Sequence, residues 1–204
     1  PELVPAPVIA MGFSIALLTL IRERGHLEFN GLQYALLGRL PGGLIGATLL
    51  LLAPQPIMGL TIALIVAVAV FLSLRKYSIK INRLSLFIAG IFSGIFGTVA
   101  AIGGPPMALL LAGKDASQFR AALSAFFIFS SLIALIILGC FGLLTLRHLW
   151  LSLLLLPAVF LGFLVAGRLV GRVDKEKTRV LTLALCALSA LLLTIKSSLA
   201  LING

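Results

Sequence analysis

Two short stretches hold the residues with chemistry to offer. One is Ser93 to Pro106, Ser-Gly-Ile-Phe-Gly-Thr-Val-Ala-Ala-Ile-Gly-Gly-Pro-Pro, and the other surrounds Arg39 in Gly-Arg-Leu-Pro-Gly-Gly-Leu-Ile-Gly. Gly weakens a helix through backbone entropy and Pro stops one through its missing N–H and ring clash, so Gly103, Gly104, Pro105 and Pro106 predict a broken helix. In hydrocarbon such a break is tolerated only where it is buried in protein or lines a wet cavity. The chemistry it offers is anion binding, because a helix N-terminus carries about half a positive elementary charge and unpaired N–H donors. On this reading the N–H groups near Gly103 and Gly104 face a small anion near mid-membrane. Pro105 and Pro106 open the second half-helix, where an N–H is unpaired anyway. The Ser93 and Thr98 hydroxyls add donors. Gly94 and Gly97 complete the candidate substrate site, although Gly90 and Gly94 at four-residue spacing equally suit close helix approach.

Arg39 is a basic residue well inside an apolar span, with Arg168 and Lys196 nearer the ends of theirs. Facing the bundle interior it neutralises an anionic substrate, as intramembrane charges do by default. Alternatively its long stem returns the guanidinium to the interface. Gln33 and Tyr34 nearby read as interface anchors. The six acids, Glu2, Glu23, Glu28, Asp115, Asp174 and Glu176, all lie outside the apolar runs, so a carboxylate proton relay has no candidate. Ser93 has no base near it in the sequence, His26 and His148 sit beside connections, and H-E-x-x-H is absent, which argues against an intramembrane enzyme. Cys140 and Cys186 lack the spacing of a metal site or a disulfide framework and read as small core residues. No metal and no cofactor is expected.

The elements that must position these residues follow from composition. Of 204 residues, 61% are apolar and 11% charged, against ~45–50% apolar in an ordinary soluble domain, so the chain reads as an all-α polytopic membrane protein in one transmembrane domain, 1–204. Its net charge of +10 sits mostly between the apolar runs, which points to positive-inside loops rather than nucleic acid. Seven runs approach the roughly 20 residues of a crossing: Val4–Ile21, Leu32–Leu52, Ile57–Leu74, Leu84–Ala112, Ala121–Leu143, Trp150–Val170 and Val180–Leu201.

The fourth run decides the topology. If it crosses once, basic residues divide almost evenly between the two sides, eight to seven. If it enters and returns as two half-helices, thirteen fall on one side: Arg22 and Arg24, Arg75, Lys76, Lys80 and Arg83, Lys114 and Arg120, and Arg168, Arg172, Lys175, Lys177 and Arg179. Only Arg147 and Lys196 oppose them, so a re-entrant Gly-Pro hairpin is expected. An internal repeat agrees. Pro41 precedes Gly46 by five residues, and Pro157 precedes Gly162 by five, at an offset of 116. The first repeat, 1–83, then matches the second, 84–204, except that the counterpart of the Gly-rich run falls before Pro1. With the hairpin the repeats are inverted, as in many secondary transporters.

Gly90-Ile-Phe-Ser-Gly-Ile-Phe-Gly, Ile102-Gly-Gly-Pro-Pro, the Arg120-Ala-Ala-Leu-Ser-Ala-Phe-Phe run and Gly38-Arg-Leu-Pro-Gly-Gly-Leu-Ile-Gly together resemble the sulfite exporter TauE/SafE family, the TSUP family of membrane transporters. The resemblance covers nearly the whole chain, apart from a first Gly-rich segment that the family usually carries. It implies a multi-pass carrier of the bacterial inner membrane for a small anion: sulfite, thiosulfate, a sulfonate or a carboxylate. An alternating-access carrier is the leading expectation, with an anion channel and a non-transporting scaffold or partner subunit as alternatives. Apolar helix faces are compatible with a homodimer.

Overall fold

The computed structural model describes residues 5–27, 31–74, 81–111, 114–169 and 175–202. Arg75, Lys76, Lys80 and Arg172, which enter the charge argument, lie outside the described residues. Among those described there are eight α-helices and no strand: α1 (Ala6–Glu23), α2 (Leu32–Leu52), α3 (Gln55–Leu74), α4 (Arg83–Ala100), α5 (Gly104–Leu111), α6 (Ala116–Cys140), α7 (Leu146–Leu169) and α8 (Lys175–Ile202). By length and apolarity, five of them suffice to cross a membrane: α1, α2, α4, α6 and α7. Ile57–Phe71 of α3 and Leu183–Leu199 of α8 are shorter apolar stretches.

The run Leu84–Ala112 is broken, and unequally. Asn82 caps α4 with a reciprocal pair of bonds, its Oδ1 accepting from the Ser85 N–H at 2.7 Å while Ser85 Oγ accepts from the Asn82 N–H at 3.0 Å. The helix then holds for 18 residues, about 27 Å at 1.5 Å per residue. It ends where Ala101 adopts the left-handed conformation, φ 57° and ψ 23°, and the N–H groups of Ala101 and Ile102 both turn back onto the Phe96 carbonyl. α5 follows after Gly103 with Pro105 and Pro106 in its first turn, and its eight residues span only about 12 Å. The two segments expected from the sequence are a long helix and a short one. The breakers sit near the end of the run, and Gly90, Gly94 and Gly97 do not interrupt α4.

α2 and α4 run parallel and pack backbone to backbone. A Cβ on Gly38 would fall on the Phe87 carbonyl, one on Gly42 on the Ile91 carbonyl, and one on Gly90 on the Ala35 carbonyl. On Gly94 it would lie 2.8 Å from the Gly42 Cα. In lipid the helices gain little from excluding water, so van der Waals contact over such close approach holds them together. Around this pair, Leu32, Ala35, Leu86, Met107 and Phe126 form one buried cluster that joins α2, α4, α5 and α6. α1 packs on α6, α7 on α1, and α8 on α3. α7 keeps most of its apolar surface open, with Leu154 75% and Leu161 61% exposed.

Side-chain contacts join several helices near their ends. Arg120 at the start of α6 pairs with Glu23 at the end of α1, Nε to Oε1 3.0 Å. Arg83 at the start of α4 lies 5.4 Å from the ring centre of Tyr34 at the start of α2. Arg22 stands 5.3 Å from the ring of Phe163, in the second half of α7.

Candidate functional site

Arg39 is buried, with 3% of its surface exposed, so its guanidinium points into the bundle and does not snorkel. Its burial follows from its neighbours: Ala35, Gly38, Gly42, Gly43 and Gly46 are all buried on α2, and the side chain emerges beside this small-residue face. It extends along α4 to Gly97, whose missing side chain makes the slot, since a Cβ there would fall on Nη1. Gly103 closes the slot from the turn, where a Cβ would stand 3.2 Å from Nη1 and 2.9 Å from Ser93 Oγ.

Two hydrogen bonds tie the guanidinium to the helix break. Arg39 Nη1 donates to the Ser93 carbonyl, and Ser93 Oγ donates to the Gly103 carbonyl at 2.6 Å. Arg39 Nε is buried with no hydrogen-bond partner. Arg39 and Gly97 open onto a cavity of about 150 Å³ together with Ala101 and Gly103. α6 contributes Phe127, Ser130 and Ser131, and α1 contributes Val8, Ile9 and Gly12. Space of that order holds several water molecules or one small oxyanion. Among the described lining residues Arg39 is the only ionisable one. An unpaired buried charge is unfavourable, so these residues offer a guanidinium and the two α6 hydroxyls to whatever enters.

Of the residues singled out in the sequence, Arg39, Ser93, Gly97 and Gly103 come together here, and the other expected donors stand in different surroundings. The Ser93 hydroxyl donates to the Gly103 carbonyl. The Thr98 side chain faces α2 near Gly43 and Gly46, and Thr98 is not part of the cavity lining. Gly104 lies against Phe127, and Pro105 and Pro106 remove two of the four N–H donors that the first turn of α5 would present. The break thus has the Arg39 guanidinium beside it as well as the N–H groups of Gly103 and Gly104. Gly94 packs on α2, and Pro106 lines a separate apolar groove between α3, α4 and α5. Ser130, Ser131 and Ala101 were not anticipated. The Ser-Ser pair inside the apolar run Ala121–Leu143 was the available signal for the first two.

A family model described as Sulfite exporter TauE/SafE matches residues 3–193. No curated protein and no solved structure matches the chain.

Proposed function

This chain belongs to the sulfite exporter TauE/SafE family, a family of membrane transporters, and from that membership together with the buried cavity we propose that it carries a small anion across the bacterial inner membrane, binding it at Arg39. The observation that carries this reading is a buried guanidinium, without a carboxylate partner, lining a cavity at a helix break. Sulfite is the foremost substrate, with thiosulfate, sulfonates and carboxylates as relatives of the same chemistry. Arg39 neutralises the charge of the anion. Ser130 and Ser131 supply hydroxyl contacts. Gly97 and Gly103 make room for the guanidinium, and Ser93 holds it against the turn.

The re-entrant topology belongs to this proposal. The contacts of Glu23 with Arg120, of Arg83 with Tyr34 and of Arg22 with Phe163 support it, since a re-entrant α4–α5 would bring the starts of α4 and α6 to the end where α1 finishes. The inverted repeat is supported by the packing: α1 with α6 and α3 with α8 are the pairs that a two-fold exchange would match, and α2 on α6 is mirrored by α7 on α1. Movement of one repeat against the other would open the cavity to each side in turn.

The test is uptake of radiolabelled sulfite by proteoliposomes carrying the purified chain. Flux that saturates with sulfite concentration and falls on Arg39→Gln is the expected result. Absence of flux for sulfite, thiosulfate, sulfonates and carboxylates alike overturns the reading.

A further inference from the structure

We propose that the Arg39 cavity selects monoanions over dianions of the same size, so that hydrogensulfite, not sulfite, is the form it binds. This rests on the reading of the cavity as the substrate site. The argument is one of charge balance in a confined, mostly apolar space. From α1 the cavity is faced by Val8, Ile9 and Gly12, from α4 and its turn by Gly97, Ala101 and Gly103, and from α6 by Phe127, Ser130 and Ser131. None of these ionises, so among the described residues of the wall the single positive charge of Arg39 has no other side-chain charge to add to it or offset it.

One negative charge makes a neutral complex with that guanidinium. A second is left unneutralised beside Val8, Ile9 and Phe127, where the low dielectric makes an unpaired charge costly. The hydroxyls favour the protonated form further. A monoprotonated oxyanion brings a donor as well as acceptors, and a serine hydroxyl serves either, whereas a cationic side chain only donates. Sulfite and hydrogensulfite interconvert near neutral pH, so this site would read the protonation state of its substrate without an ionisable partner of its own.

The probes are methanesulfonate and sulfate, tetrahedral anions of similar size that stay singly and doubly charged across the working range. Binding of each to the purified full chain is measured by calorimetry at constant ionic strength. Methanesulfonate is expected to bind about a hundredfold more tightly than sulfate, a ratio equal to two tenfold steps in affinity. The affinity for total sulfite is expected to fall as pH rises through neutrality, following the hydrogensulfite fraction. Arg39→Lys, which keeps the charge, should keep the preference. Sulfate binding within a few-fold of methanesulfonate, or an affinity for total sulfite that is flat or rising with pH, overturns the charge selection and leaves the site standing. Binding of none of these anions, or equal binding by Arg39→Gln, overturns the site itself.

Discussion

Arg39 is held where a lone charge is unfavourable, and on the proposed reading it is kept for what it binds. Replacing it with Met removes that charge at the cost of one bond to the Ser93 carbonyl. Exchanging buried ionic groups for apolar ones is often neutral or stabilising by about 1–4 kcal/mol. Arg39→Met is therefore expected to unfold in detergent at the same temperature as the parent or a higher one, while anion flux falls about tenfold or more, the ratio that 1.4 kcal/mol of lost binding gives. A lower unfolding temperature with flux retained would make Arg39 a structural residue. Gly97→Ala puts a methyl on the guanidinium and should reduce flux with little loss of folded protein, because the side chain can yield where backbone cannot. The importance of Arg39 was legible from its place inside an apolar run, but its orientation was not. Whether a long cation turns inward depends on which face of α2 meets α4, and that is settled by Gly38, Gly42 and Gly46 packing on a segment some fifty residues away.

At the scale of elements, α4, its turn and α5 form the unit that the sequence announced most clearly. Consecutive Gly103, Gly104, Pro105 and Pro106 leave a continuous helix little chance. What could not be read was the left-handed residue at the turn, because it is Ala101 and not one of the glycines. A non-glycine residue there costs roughly 1–2 kcal/mol. Ala101→Gly is expected to recover about 1 kcal/mol as a higher unfolding temperature, and Ala101→Val to lose more than that, since a β-branched side chain suits the conformation still less. The glycines of α4 illustrate the opposite limit. Four-residue spacing of Gly90 and Gly94 suits packing and binding equally, and only the backbone of α2 against them decides for packing. Gly42→Val should push α2 and α4 apart by overlap with the Ile91 carbonyl, costing about 1–3 kcal/mol or more, seen as loss of the monodisperse peak in size-exclusion chromatography.

For the whole molecule, the distribution of charge and the contacts among helix ends bear on the same topology from independent directions. In a chain with Cys140 and Cys186 replaced by Ala, Arg24→Cys and Asp115→Cys should both react with an impermeant maleimide from the cytoplasmic face, and Thr145→Cys from the opposite one. Labelling of Arg24→Cys and Asp115→Cys from opposite faces would mean that the segment between Arg83 and Leu111 crosses once. The charge pattern carries this information because short loops retain basic residues on one side. It says nothing of how α7 and α8 dock. Pro105 and Pro106 have an evolutionary corollary. With two main-chain donors deleted from the mouth of α5, the proposed anion site would concentrate its grip in a group encoded by one codon. Recognition here can drift by point mutation, without remodelling the scaffold, as a receptor made wholly of peptide dipoles could not.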